Sequence, residues 1–104
     1  MNTVSNNKLH KEQNIRHCVS AIQNGNTYAE KELVALCQDL IEKVVNECDT
    51  KELSHEDIIA ACESGLRLAA HKFDLTKEFS FESYAVWWLK QEILQAHRRN
   101  SSIK

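Results

Sequence analysis

The sequence has no proline, two glycines and no long apolar run. Each of these absences excludes something. Strand sandwiches and barrels need turn residues every few positions, and two glycines among 104 residues do not supply them. A glycine loop that cradles a nucleotide is disfavoured on the same ground. No stretch approaches the ~20 apolar residues that span a bilayer. The start, Met1 to Asn14, is polar and lacks the apolar segment of a secretory signal, so the expected setting is intracellular. An excess of one charge is missing too: 13 Lys and Arg face 15 Asp and Glu, a net −2. That argues against a protein that coats nucleic acid by bulk charge, and leaves room for a local basic face. The length fits one domain. Together these features imply an all-α fold, a compact bundle of about four helices with short polar connections.

The four cysteines, Cys18, Cys37, Cys48 and Cys62, form no C-x-x-C pair. Cys37 and Cys48 fall in helical register with Leu33, Leu40 and Val44, which is the pattern of small buried hydrophobes. A zinc site needs paired ligands at short spacing. His17 beside Cys18 has nothing near in sequence to complete one, and His10, His55, His71 and His97 are scattered. There is no H-E-x-x-H and no G-x-S-x-G. Catalysis is therefore the poorest reading, and no metal or cofactor is expected.

Apolar spacing marks four helical segments. The first runs from about Ile15 to Gln23, with Ile15, Cys18, Val19 and Ile22 on one face, and Gly25 is a helix stop. Residues 1–14 read as a flexible tail. Thr27-Tyr28-Ala29-Glu30 has the form of a capping box, opening a helix to about Cys48. Asp49 to Leu53 is a polar connection. Ser54-His55-Glu56-Asp57 is a second capping signature, ahead of Ile58, Ile59, Cys62, Leu66, Ala69 and Phe73. Gly65 lies inside that helix at a cost of roughly 1 kcal/mol against alanine, which suggests a close approach by another helix. Asp74 to Ser80 is a charged loop. Ser80 then caps a last helix from about Phe81 to Arg99, and residues 100–104 form a polar tail.

The last helix carries two different faces. At about 100° per residue, Ala85, Leu89, Ile93 and Ala96 share one narrow arc, the core stripe. Tyr84, Trp87, Trp88, Gln91, Gln95 and Arg98 share another. A solvated face has no need of two tryptophans, and a core face does not take two glutamines and an arginine. Aromatic faces stack on unpaired bases, glutamine reads base edges and arginine engages phosphate. Aromatics on a helix also serve as core or as a protein interface, which is the competing reading. Of seven aromatics, six lie between positions 73 and 88, with Tyr28 the outsider. Residues 1–64 hold six basic and eleven acidic side chains, residues 65–104 seven and four. The aromatic half is the basic half.

Two stretches carry a family likeness: Gly65-Leu66-Arg67-Leu68-Ala69-Ala70-His71-Lys72-Phe73-Asp74, and Phe81-Glu82-Ser83-Tyr84-Ala85-Val86-Trp87-Trp88-Leu89-Lys90-Gln91. They resemble region 2 of sigma-70 family transcription initiation factors, which reads approximately G-L-x-x-A-x-x-K-F-D, twelve residues, then W-W-I-R-Q. Ala21 to Cys48 resembles the preceding part of that region, so the likeness spans about residues 15–99 as one domain. It implies a cytoplasmic protein of bacterial or phage origin with two surfaces. One would dock on the β′ clamp helices of bacterial RNA polymerase through Asp57, Ala60, Ala61, Glu63, Ser64 and Arg67. The other would bind the minus-ten element of promoter DNA as its non-template strand melts. Phe73, Phe81, Tyr84, Trp87 and Trp88 would hold that strand, with Phe79, Lys77, Lys90, Gln95 and Arg98 alongside. Gln91 would read the most upstream base pair.

The chain departs from the family pattern at several positions. Leu94 stands where threonine is frequent, Gln95 where arginine is common, and Thr76, Lys77 and Glu78 fill a loop that is usually basic. The polymerase-docking helix, D-L-I-Q-E-G-N-x-G-L in the family, has Ala60, Ala61 and Glu63 in place of polar residues. No helix-turn-helix for a minus-thirty-five element fits in the five residues after Arg99. These departures motivate an alternative: an interaction module that kept the fold but not promoter recognition. Its partner would be polymerase, an anti-sigma protein or a second copy of itself. Neither reading involves a membrane.

Overall fold

A computed structural model of the chain describes the backbone from Thr3 to Ile103 and side chains from His10 to Asn100. Among these residues there are five helices and no strand: α1 (Thr3–Gln23), α2 (Ala29–Leu36), α3 (Gln38–Glu47), α4 (His55–Lys72) and α5 (Phe81–Ile103). The fold is all-α, as the composition implies. α4 and α5 form the main packed pair, α1 lies against α2 and α4, and α3 lies against α5. Ile15, Val19, Leu33, Val44, Leu66, Leu89 and Ile93 meet in one core.

Three boundaries match their sequence signals. Gly25 takes φ +97° after α1, a conformation strained for L side chains. The Asn26 N–H reaches back to the Ala21 carbonyl (2.9 Å) and the Gly25 N–H to Ile22 (3.0 Å), which closes the helix end. The Ser54 hydroxyl accepts from the Asp57 N–H (3.0 Å), and the Ser80 hydroxyl from the Ser83 N–H (3.1 Å).

Other boundaries correct the expectation. α1 begins at Thr3, well before Ile15. Within that upstream part Lys11 bridges to Glu82 (3.5 Å) and Asp39 (4.0 Å). The Thr27 capping box does not form. Asn26 Oδ1 takes the Tyr28 N–H (3.0 Å), and Glu30 turns away to pair with Arg67 (3.3 Å). The single helix expected up to Cys48 is two. Cys37, at φ −101° and ψ 17°, interrupts it with no glycine or proline. The break separates α2, which packs on α1 and α4 and buries Leu33, from α3, which packs on α5 and buries Leu40 and Val44. α5 continues past Arg99 to Ile103, with the Asn100 amide donating to the Glu52 carbonyl (3.0 Å).

Gly65 is the contact point of α4 and α5. A Cβ there would lie 3.0 Å from Leu89 Cα and 3.1 Å from the Trp88 carbonyl oxygen, both backbone atoms. Alanine adds about 1 kcal/mol of helix propensity, but overpacking against backbone costs about 1–3 kcal/mol. Gly65→Ala should therefore lose about 1 kcal/mol net, seen as a melting temperature ~4–8 °C lower by circular dichroism. A higher melting temperature would show that the two helices separate freely.

All four cysteines are free thiols. Burial pushes Cys37 up to about 12 and Cys62 to about 11, while burial and then the hydrogen bond to Glu32 raise Cys18 to about 12. Such thiols stay protonated and inert at neutral pH. They are packing residues, as their helical register indicates. No described helix is long and apolar enough to cross a membrane.

Candidate nucleic-acid interface

Six aromatics separated in sequence come together as one cluster. Phe73, at the end of α4, is the hub: its ring meets Phe79 (5.5 Å), Phe81 (5.3 Å) and Tyr84 (5.4 Å). From Tyr84 the chain runs to Trp88 (6.3 Å) and from there to Trp87 (5.1 Å, perpendicular). Spacings of 5–6 Å in edge-to-face and tilted arrangements favour the ring quadrupoles and stiffen the array.

The cluster has a buried floor and an open edge. Phe81 is fully buried and Phe73 is 3% exposed. This corrects the roles that the likeness implied for them. Neither ring is presented to a ligand, and both support the rings above. Trp87 is 58% exposed and Phe79 49%, with Tyr84 and Trp88 half-buried between them. The open edge is thus Phe79–Tyr84–Trp88–Trp87. Gln91 is half-buried one turn beyond the tryptophans, and Gln95 and Arg98 are exposed further along α5. Leu94 is exposed on the same helix. Lys90 is spoken for in part, pairing with Glu47 of α3 (3.3 Å).

The loop that carries Lys77 and Phe79 is short and braced. Asp74 Oδ1 accepts from the Thr76 hydroxyl (2.6 Å) and the Thr76 N–H (2.9 Å). Those two bonds, the hydroxyl first, hold the Asp74 carboxyl below its usual range. A further brace comes from α1. Arg16 donates to the Leu75, Lys77 and Phe79 carbonyls, and Gln23 donates to the Ala70 and Phe73 carbonyls (both 2.8 Å). The sequence reading missed both residues. The Glu12–Arg16 pair at i, i+4 is visible in sequence, whereas the loop carbonyls that it serves are not.

The residues expected to dock on polymerase divide three ways. Asp57, Ala60 and Glu63 are exposed on α4. Ser64 donates to Glu92 of α5 (2.9 Å) and Arg67 pairs with Glu30 of α2, so both tie helices together. Ala61 is 4% exposed and belongs to the core, which removes it from any docking surface. Beside the exposed residues runs a groove of about 690 Å³. Val34, Ile41, Val45, Ile58 and Ile59 line it with Glu42 and Glu63, and no residue of α5 does. Among the described residues, no three His, Cys, Asp or Glu side chains are placed to hold a metal ion.

The described residues thus form an all-helical domain with an aromatic edge beside amides and cations. Residues 33–103 match the model of sigma-70 region 2, and the chain belongs to that family. The family is one of non-enzymatic transcription initiation factors. The RNA polymerase sigma factor SigA of Lactococcus lactis subsp. cremoris is 30% identical over 88 residues, 85% of this chain and 24% of that protein. SigA of Clostridium acetobutylicum is 33% identical over 75 residues, 72% of this chain and 20% of that protein. The sigma factor RpoS of Coxiella burnetii is 31% identical over 75 residues, 72% of this chain and 21% of that protein. The chain spans about a quarter or less of the length of these relatives.

Proposed function

We propose that this chain is a transcription initiation module that binds the melted non-template strand of a minus-ten promoter element. The reading is carried by one observation, the open aromatic edge Phe79–Tyr84–Trp88–Trp87 continued along α5 by Gln91, Gln95 and Arg98. Unpairing a base costs a few kcal/mol, and each base stacked on an aromatic ring returns about 1–3 kcal/mol. Two or three trapped bases therefore offset local melting. Gln91, half-buried at the tryptophan end, has the amide donor and acceptor that match an adenine edge. Docking on a bacterial RNA polymerase falls to Asp57, Ala60 and Glu63 on α4. The groove that Glu63 lines includes no α5 residue, which supports two surfaces that work at once.

The test uses the tryptophans themselves, since Trp87 and Trp88 are the two in the chain. A single-stranded minus-ten oligonucleotide should change their emission at micromolar concentrations, and a scrambled strand of equal composition should change it less. The affinity should fall as salt rises, with a log–log slope of about −0.7 per phosphate neutralised. Unchanged emission with both strands would sink the proposal.

A further inference from the structure

We infer that Arg16 is the positioning residue of the strand-binding edge, an assignment that rests on the reading above. The guanidinium lies at the centre of an arc made by the loop between α4 and α5. Nη1 donates to the Leu75 carbonyl (3.1 Å), and Nη2 donates to the Lys77 (2.8 Å) and Phe79 (2.9 Å) carbonyls. These are every second carbonyl of the loop, all turned toward one cation. Nε is held by Glu12 (2.9 Å), which fixes the plane of the fork. The same Glu12 oxygen also accepts the Phe81 N–H (3.4 Å) at the start of α5. The Arg16 Cζ stands 5.3 Å from the centre of the Phe73 ring, the hub of the aromatic cluster.

The geometry needs arginine. A planar group with donors in a rigid fork can meet three separate carbonyls and a carboxylate at once. A lysine ammonium is a point charge and cannot span the arc. The bonds fix the backbone on both sides of Lys77 and at Phe79, and so fix where those side chains stand before any strand arrives. Phe79 is half exposed and packs on Phe73 (5.5 Å) and Tyr84 (6.2 Å), so the Arg16 bonds fix the backbone beneath a ring whose inner side meets the cluster. α1 lies outside the residues 33–103 matched by the family model. The binding edge is therefore set by an element that precedes the matched region.

Ordering one or two side chains on binding is worth about tenfold in affinity, and Arg16 removes that cost in advance. In the full chain, Arg16→Ala and Arg16→Gln should both weaken the single-stranded minus-ten oligonucleotide about tenfold. Binding is read by anisotropy of a labelled strand, well below the melting temperature of each variant. The salt slope should stay that of the unaltered chain, because Arg16 touches loop carbonyls and not phosphate. Trypsin should also cut after Lys77 several times faster in both variants, since the carbonyl of that bond loses its partner. Unchanged affinity in folded variants overturns the assignment, and so does a salt slope reduced by about 0.7, which marks a direct phosphate contact. Should the unaltered chain bind no strand, the strand-binding reading fails, and the rate of cutting at Lys77 alone decides whether Arg16 holds the loop.

Discussion

Phe81→Ala should remove a large share of the stability of the fold. Phe81 is the largest fully buried side chain and stands edge-on to Phe73 at 5.3 Å. Truncating a buried phenylalanine costs about 3–5 kcal/mol, from lost transfer energy and from the cavity left behind. Small domains have about 5–15 kcal/mol in total. The position amplifies the loss, because Phe81 opens α5 and its N–H meets Glu12 of α1 (3.4 Å). Denaturant unfolding should show the midpoint falling with little change in slope. Phe81→Leu keeps most of the volume and should cost less than about 1.5 kcal/mol. That variant also separates the core role from the base-holding role implied by family likeness. If Phe81 is purely a core residue, the leucine variant binds the single-stranded oligonucleotide as the unaltered chain does. A tenfold loss in a folded leucine variant would return Phe81 to the binding surface.

The misplacement of Phe81 shows where sequence stops being informative. The positions of Ala85, Leu89, Ile93 and Ala96 follow from a period of 3.6, and all four are buried. Gly65 marked a close helix contact because its intrinsic penalty needs a compensating reason, and the α5 backbone supplies it. Ser54 and Ser80 marked helix starts because an N-cap needs only local atoms. Phe73 and Phe81 sit at helix ends beside a loop, where no periodicity says which ring turns inward. That choice is made by the neighbours: Phe73 and Phe81 pack edge-on inside the core while Phe79, in the loop between them, stays half exposed. The break at Cys37 likewise falls where the packing partners change, from α1 and α4 for α2 to α5 for α3. The Arg16 arc was hidden most deeply. Its acceptors are backbone carbonyls 59 to 63 positions away, and backbone carbonyls have no signature in sequence.

The exposed half of the aromatic array makes the opposite prediction, a large loss of binding with little loss of stability. Trp87 is 58% exposed, so Trp87→Ala removes little core and should change stability by about 0.5 kcal/mol. If a base stacks there, the variant loses about 1–3 kcal/mol of affinity, roughly 5- to 150-fold. Trp88 is half-buried and meets Trp87 edge-on at 5.1 Å, so Trp88→Ala should lower both affinity and melting temperature. Trp87→Phe keeps a stacking face and should recover much of the affinity. Because these changes remove the intrinsic probe, the titration follows anisotropy of a labelled minus-ten strand. Trp87→Ala binding within twofold of the unaltered chain would show that the exposed ring serves another partner. The contrast between neighbours is the sharper test: Trp87 and Trp88 differ in burial but share one surface. A strand that uses this surface must feel both losses, whereas the fold feels mainly one.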